Sequence, residues 1–124
     1  MFKLTKIEGG RINVFEPQIL TVGATPVVSG QALVLKSGKL SACDAEVKPT
    51  FIALANGSTG EEISVGRVES NQIYSVAAVS GLVVGNKYKT DGAGKAITST
   101  ASTAGGVEVV EVDLTTNTAY VRFV

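Results

Sequence analysis

The side chains able to do chemistry in this 124-residue chain are few and scattered. There is no histidine, which removes the commonest general base, the usual partner of a serine or cysteine nucleophile, and the commonest metal ligand. Cys43 is the single cysteine. With only carboxylates or lysines available as its base, it reads as a small apolar residue and not as a nucleophile. A lone thiol also excludes an intramolecular disulfide and the usual ligand sets of structural zinc.

The carboxylates fare no better. Glu61 and Glu62 are adjacent, so on a strand they point to opposite faces and cannot converge. Glu108 and Glu111 share a face only if Val109-Val110 forms a β-bulge, and a solvated strand surface accounts for that pair without catalysis. Asp91-Gly92-Ala93-Gly94 resembles a calcium loop superficially but lacks the further acidic ligands and the closing glutamate, so a hairpin tip is expected. The glycines at 81–85 and 92–94 precede no helix, and so have no helix N-terminal amides to cradle a phosphate. The expectation is a chain that is not an enzyme, holds no metal and no cofactor, and acts by binding.

Composition narrows what it binds. Eleven basic and eleven acidic residues cancel, whereas a domain that neutralises a phosphate backbone carries a concentrated positive excess. Neither nucleic acid nor an anionic membrane is therefore an expected partner. Residues 1–10 mix Lys3, Lys6 and Glu8 among isolated apolar residues, so no signal-peptide core is read there. No run approaches the length needed to span a bilayer as a helix. A protein made and folded in a cytoplasm is expected.

The elements that must position these residues are strands. Valine far outnumbers leucine, and threonine and glycine are abundant; β-branched side chains lose rotamer freedom in helices and pack well on pleated surfaces. Ala32–Lys36, a Ser37-Gly38 turn and Lys39–Ala42 read as a tight hairpin. Gln18–Thr25, Thr50–Ala55, Glu62–Glu69 and Ile73–Val79 read as further strands, with Gly66 placed for a bend or bulge. Asp44–Pro49 reads as a turn, Asn56–Gly60 as a loop, and Ser99–Gly106 as a mobile loop. A second hairpin joins Lys87–Thr90 to Lys95–Thr98, and a third joins Val107–Val112 to Ala119–Phe123. Val28–Leu33 is echoed by Val84–Tyr88, each a glycine, a strand, a glycine-lysine turn and a return strand; duplication and shared hairpin chemistry both explain the echo.

Near the start, Phe2 and Leu4 alternate with Lys3 and Thr5, Gly9-Gly10 interrupts, and Ile12 and Val14 alternate with Arg11 and Asn13. This is either an ordinary first strand or an extended arm that orders on a partner. The expected organisation is an arm over 1–15 and a single all-β domain over 16–124, a small barrel-like or sandwich-like body built of hairpins.

Read in order, the motifs Val28–Leu40 (VSGQALVLKSGKL), Lys48–Ala55 (KPTFIALA), Gly60–Val68 (GEEISVGRV), Val83–Tyr88 (VVGNKY) and Val107–Asp113 (VEVVEVD) resemble the small decoration proteins of tailed bacteriophages, also called head-stabilising or auxiliary capsid proteins. The resemblance implies a β-tulip-like body, commonly a homotrimer, on the exterior of the virion's capsid, made in the bacterial host cytoplasm. It implies that the partner is the major capsid protein, whose neighbouring subunits are bridged on the outer surface of the assembled head. It also implies an N-terminal arm that clamps those subunits; Phe2, Leu4, Ile7, Arg11, Ile12, Val14 and Phe15 are the arm residues expected to make contact. A second reading is a β-sandwich recognition module of a tail or fibre that binds carbohydrate or a receptor, which predicts aromatic side chains gathered on one exposed face.

Overall fold

The computed structural model describes residues 1–7 and 17–124, the side chains of Lys6 and Ile7 apart. The described residues form eleven strands and no helix: β1 (Lys3–Ile7), β2 (Pro17–Thr21), β3 (Ala32–Lys36), β4 (Lys39–Ala42), β5 (Phe51–Ala53), β6 (Glu62–Arg67), β7 (Gln72–Ala77), β8 (Lys87–Thr90), β9 (Ile97–Ala101), β10 (Val107–Asp113) and β11 (Thr118–Phe123). These pair antiparallel in two sheets, a six-stranded one in the order β1-β7-β11-β10-β8-β9 and a five-stranded one in the order β2-β6-β5-β3-β4. The body is sandwich-like and not a closed barrel.

Each sheet owns a core. In the five-stranded sheet, Leu33, Leu40, Phe51, Ala53, Ile63 and Val65 turn to one face, where Val22 and Val27 join them. The sheet rolls around this cluster until its outer strands meet, through a bridge from Val22 to Leu40 and a bond from Gly23 N–H to Leu40 C=O at 2.9 Å. A Cβ at Gly23 would stand 2.7 Å from that carbonyl oxygen, so the approach needs glycine. The second core lies between the sheets. Tyr74, Val107, Val109, Val121 and Phe123 descend from the six-stranded sheet onto Ala32, Cys43, Ile52 and Val68. Ile52 therefore serves one core while its neighbours Phe51 and Ala53 serve the other, as period-two alternation demands.

The three hairpins form as expected. Ser37 and Gly38 both have positive φ, 52° and 76°, the geometry whose twist matches that of the flanking strands. In the β10–β11 hairpin the register shifts between Val109 and Glu111, so the expected bulge is present. Glu108 then opposes Arg122, and Glu111 opposes Tyr120, on one face.

Three local expectations are corrected. Gly66 causes no bulge, since register runs through it to Pro17 on one side and Ile52 on the other; its missing side chain instead sits in a buried place. The segment Ser99–Gly106 is part strand, because β9 extends to Ala101. The remainder is fastened: Ser102 Oγ and Thr103 N–H each donate to Glu46 Oε1 at 3.3 Å, and Gly105 N–H donates to Glu46 C=O at 2.8 Å. Residues 3–7 are the edge strand β1, paired to β7, and not a free arm. Phe2 is a core residue, 2 % exposed, edge-on to Phe123 with ring centres 4.9 Å apart. The physical reason is that a phenylalanine gains more from burial against an apolar sheet than from exposure at a chain end.

One turn chemistry recurs before the strands. In Val28-Ser29-Gly30-Gln31, Gln31 N–H donates to Val28 C=O at 3.1 Å, while Val28 N–H donates to Gln31 Oε1 at 3.1 Å. Ser58-Thr59-Gly60-Glu61 repeats both bonds at 3.0 and 2.7 Å, and Glu69-Ser70-Asn71-Gln72 repeats them at 3.2 and 2.7 Å. Val83-Val84-Gly85-Asn86 repeats the backbone bond at 3.1 Å. Gly30, Gly60 and Gly85 have φ of 87°, 84° and 90°, which a type II turn requires at that position. The echo between Val28 and Val84 is thus one of turn chemistry, and among the described residues its backbone bond recurs ahead of β3, β6, β7 and β8.

Two of these turns are related by a local two-fold. The unit β2–turn–β3 interlocks with the unit β5–turn–β6, because β2 pairs with β6 and β5 pairs with β3. Val22 N–H donates to Glu61 C=O at 2.8 Å, as Ala53 N–H donates to Gln31 C=O at 3.0 Å. Gly60 N–H donates to Val22 C=O at 3.0 Å, as Gly30 N–H donates to Ala53 C=O at 2.8 Å. On the axis itself, Val27 and Gly57 exchange both of their backbone bonds, at 2.9 and 3.0 Å.

Candidate interaction surfaces

Cys43, Asp91, Glu61 and Glu108 each take part in structural contacts. Cys43 is buried, and its Sγ–H donates to Val47 C=O at 3.0 Å. Burial, aided by the nearby negative charge of Asp44, pushes the thiol from an ordinary 9.0 up to about 11; a neutral thiol of this kind is inert. Asp91 Oδ1 accepts from Ala93 N–H at 2.9 Å and Lys95 N–H at 3.1 Å, which makes it the cap of a hairpin tip. Glu108 meets Arg122 at 3.4 Å. Glu61 spends one oxygen on its own turn, and the bonds from Ser58 hold its carboxyl below the usual carboxylate range. Among the described residues no three histidine, cysteine or acidic side chains are disposed to hold a metal ion.

Of the residues expected to contact a partner, the structure brings Phe2 and Leu4 together against the inter-sheet core, Phe2 fully buried and Leu4 half-buried. Ile7 pairs through its backbone with Gln72 at the end of β1. Arg11, Ile12, Val14 and Phe15 lie outside the described residues. Phe2 N–H donates to Gly30 C=O at 2.9 Å, so the chain start is tied to the first of the repeated turns. A depression of about 230 Å³ runs along this seam, between Phe2–Leu4, Ser29-Gly30 and Ile52–Leu54.

Three further surfaces stand out. Across the outer face of the five-stranded sheet, Ile19 opposes Ser64, whose carbonyl takes the Leu54 N–H at 3.0 Å. This row places exposed Ile19 and Leu54 on one stripe. On the six-stranded sheet, a 130 Å³ dent lies among Thr5, Ile73, Val110, Glu111 and Tyr120, flanked by the bulges of β1 and β10. The third is a 270 Å³ depression on the local two-fold, between Pro26–Val28 and Asn56–Ser58, with Glu61 at its rim.

The aromatic side chains of the described residues are spent on packing. Phe2, Phe51, Tyr74, Tyr88 and Phe123 are buried and Tyr120 is half-buried, so the described residues present no aromatic platform. Sequence reasoning passed over Gln31 and weighed Glu61 only as a catalytic carboxylate; the turn-closing roles of both follow from the x-x-Gly-Gln/Glu before a strand. That four-residue signal is visible in the sequence once the turn is read together with its closing side chain. No protein-family model, no curated protein and no solved structure matches this chain.

Proposed function

We propose that the chain is a tailed-phage capsid decoration protein, which binds the outer surface of the assembled head and stabilises it by bridging neighbouring major capsid subunits, as a homotrimer. The observation that carries this reading is the ordered run of motifs from Val28 to Asp113, the same run that supplies the hairpins and strand-leading turns of a two-sheet body. A small all-β scaffold in which, among the described residues, several polar side chains close turns and five aromatics fill the cores supports a role in contact. Such a protein acts by linkage: whatever binds the intact lattice and not its separated subunits stabilises the lattice. Several copies joined in one oligomer turn modest contacts into avidity.

The alternative, a carbohydrate- or receptor-binding module of a tail or fibre, needs an exposed aromatic face, and five of the aromatics stand in the two cores. Capsid contact is assigned to the region after β1 and to the surface stripe at Ile19 and Leu54. Residues 1–7 cannot be deleted as a test, because that removes Phe2 from the core and β1 from its sheet. The test is therefore co-sedimentation of purified protein with capsids lacking it, comparing wild type with a variant bearing Arg11→Ala, Ile12→Ser, Val14→Ser and Phe15→Ser. Wild type is expected in the pellet at a fixed ratio to capsid protein, and the variant mostly in the supernatant. A wild-type protein that stays in solution contradicts the function; a variant that binds undiminished contradicts the part given to residues 11–15.

A further inference from the structure

The two turns on the local two-fold are unequally covered. Against the first, the tip of the β8–β9 hairpin docks: Ala32 N–H donates to Gly94 C=O at 2.7 Å, and Gln31 Nε2 donates to Ala93 C=O at 2.8 Å. Gln31 is thereby buried, and Gly94 stands so near Ala32 O that no Cβ fits between them. The first turn, with the opening residue of β3, is a binding site for the carbonyls of a tight glycine turn, filled from within the chain.

The second turn repeats this geometry with Glu62 in the place of Ala32. Glu62 faces Thr21 in a pair without mutual bonds, since Val22 N–H to Glu61 C=O and Gly60 N–H to Val22 C=O lie to one side of it. Its own N–H and C=O therefore point away from β2, as those of Ala32 point away from β5. On that side β5 pairs no further than Ala53 with Val65, and Leu54 N–H takes Ser64 C=O. No hairpin tip of the described residues docks there. Ser58 through Glu62 are all exposed, beside the 270 Å³ depression.

We infer that this second turn is a docking site for a glycine-bearing turn of another protein, one with a lysine or arginine beside the turn. The occupied twin supplies the template, a partner carbonyl accepting from the first N–H of the strand. The chemistry differs at one position. Where Gln31 offers an amide N–H to a carbonyl, Glu61 offers a carboxylate. Its carboxylate is engaged by Ser58, whose N–H donates to Oε1 at 2.7 Å and whose side chain also bonds it; being exposed, it keeps acceptor capacity for a further donor, and Glu62 adds a second negative charge alongside. A carbonyl in that position is repelled, whereas an ammonium or guanidinium gains a charge-assisted hydrogen bond. The site is independent of the capsid reading and survives its failure.

A backbone-cyclised peptide with the sequence of residues 89–96, Lys-Thr-Asp-Gly-Ala-Gly-Lys-Ala, presents such a turn with a lysine on each side. The chain's own tip holds the first site by high effective concentration, so the added peptide meets an open site at the second turn alone. Titrated into the isotope-labelled full chain, it is expected to shift the amides of Gly60, Glu61 and Glu62 saturably, with a Kd of about 1 mM or tighter. Replacing both peptide lysines by norleucine is expected to weaken binding about tenfold. Unmoved amides at 58–62, shifts confined to residues 28–32, or equal binding by the norleucine peptide would each overturn the inference.

Discussion

Phe2 does more for the sandwich than its place next to the chain start implies. Its ring closes the inter-sheet core against Phe123, which in turn meets Tyr74 edge-on with centres 5.1 Å apart. Phe2→Ala should lower the unfolding free energy by about 3 kcal/mol, read as a shifted urea midpoint at unchanged slope. A loss under about 1 kcal/mol would mean that the first strand contributes little to the folded body. Cys43 offers a second residue-scale check. Because burial raises its pKa to about 11, the folded state favours the bound proton. That contribution is whole below the ordinary thiol value and is lost as pH rises toward 11, the direction in which buried Tyr74 also acts. Cys43 is expected to ignore a thiol reagent at pH near 8 and to react once denaturant is added; Cys43→Ala should soften the alkaline loss of stability. Rapid labelling of the native protein would contradict the burial that holds the thiol neutral.

At the scale of elements, the β8–β9 hairpin joins the two sheets through its tip. Gly94 has φ of 71° and no room for a side chain against Ala32 O, so Gly94→Ala combines backbone strain with a clash. It should cost about 3 kcal/mol and expose the amide of Ala32 to solvent exchange, whereas Gly92→Ala, with open space around it, should cost only the backbone share. Equal effects of the two would remove the hairpin tip from the inter-sheet joint. Much of this level was legible in the residues. The Ser37-Gly38 hairpin, the bulge at Val109-Val110 and the turn at 44–49 follow from local rules, because two to six consecutive residues decide them. What escaped depends on distant partners. Glu46 fastens the 102–106 loop from more than fifty residues away, so small polar residues there read as mobile. Phe2 and Leu4 alternate as any exposed arm or strand would, and only the sheet they meet tells the two apart. The local two-fold escaped because its units share turn chemistry but hardly any side chains.

For the whole molecule, two cores share one five-stranded sheet, one inside its roll and one beneath its neighbour, and among the described polar side chains Gln31, Glu61, Gln72 and Asp91 close turns. Its sheet faces and turns are the surfaces open to contact. The capsid reading extends that character to a role: summed contacts that hold a lattice together, with affinity set by the number of copies engaged. The candidate contact residues were legible only in part, since a binding surface leaves no spacing rule comparable to a catalytic triad. The measurement that bears most directly on the role is imaging of capsids lacking this protein after the purified chain has been added. The account predicts uniform protrusions at fixed symmetry-related positions on the outer shell, with the decorated particles surviving heating that bursts the bare ones. Bare shells under saturating protein, or density scattered without regard to the lattice, would contradict it.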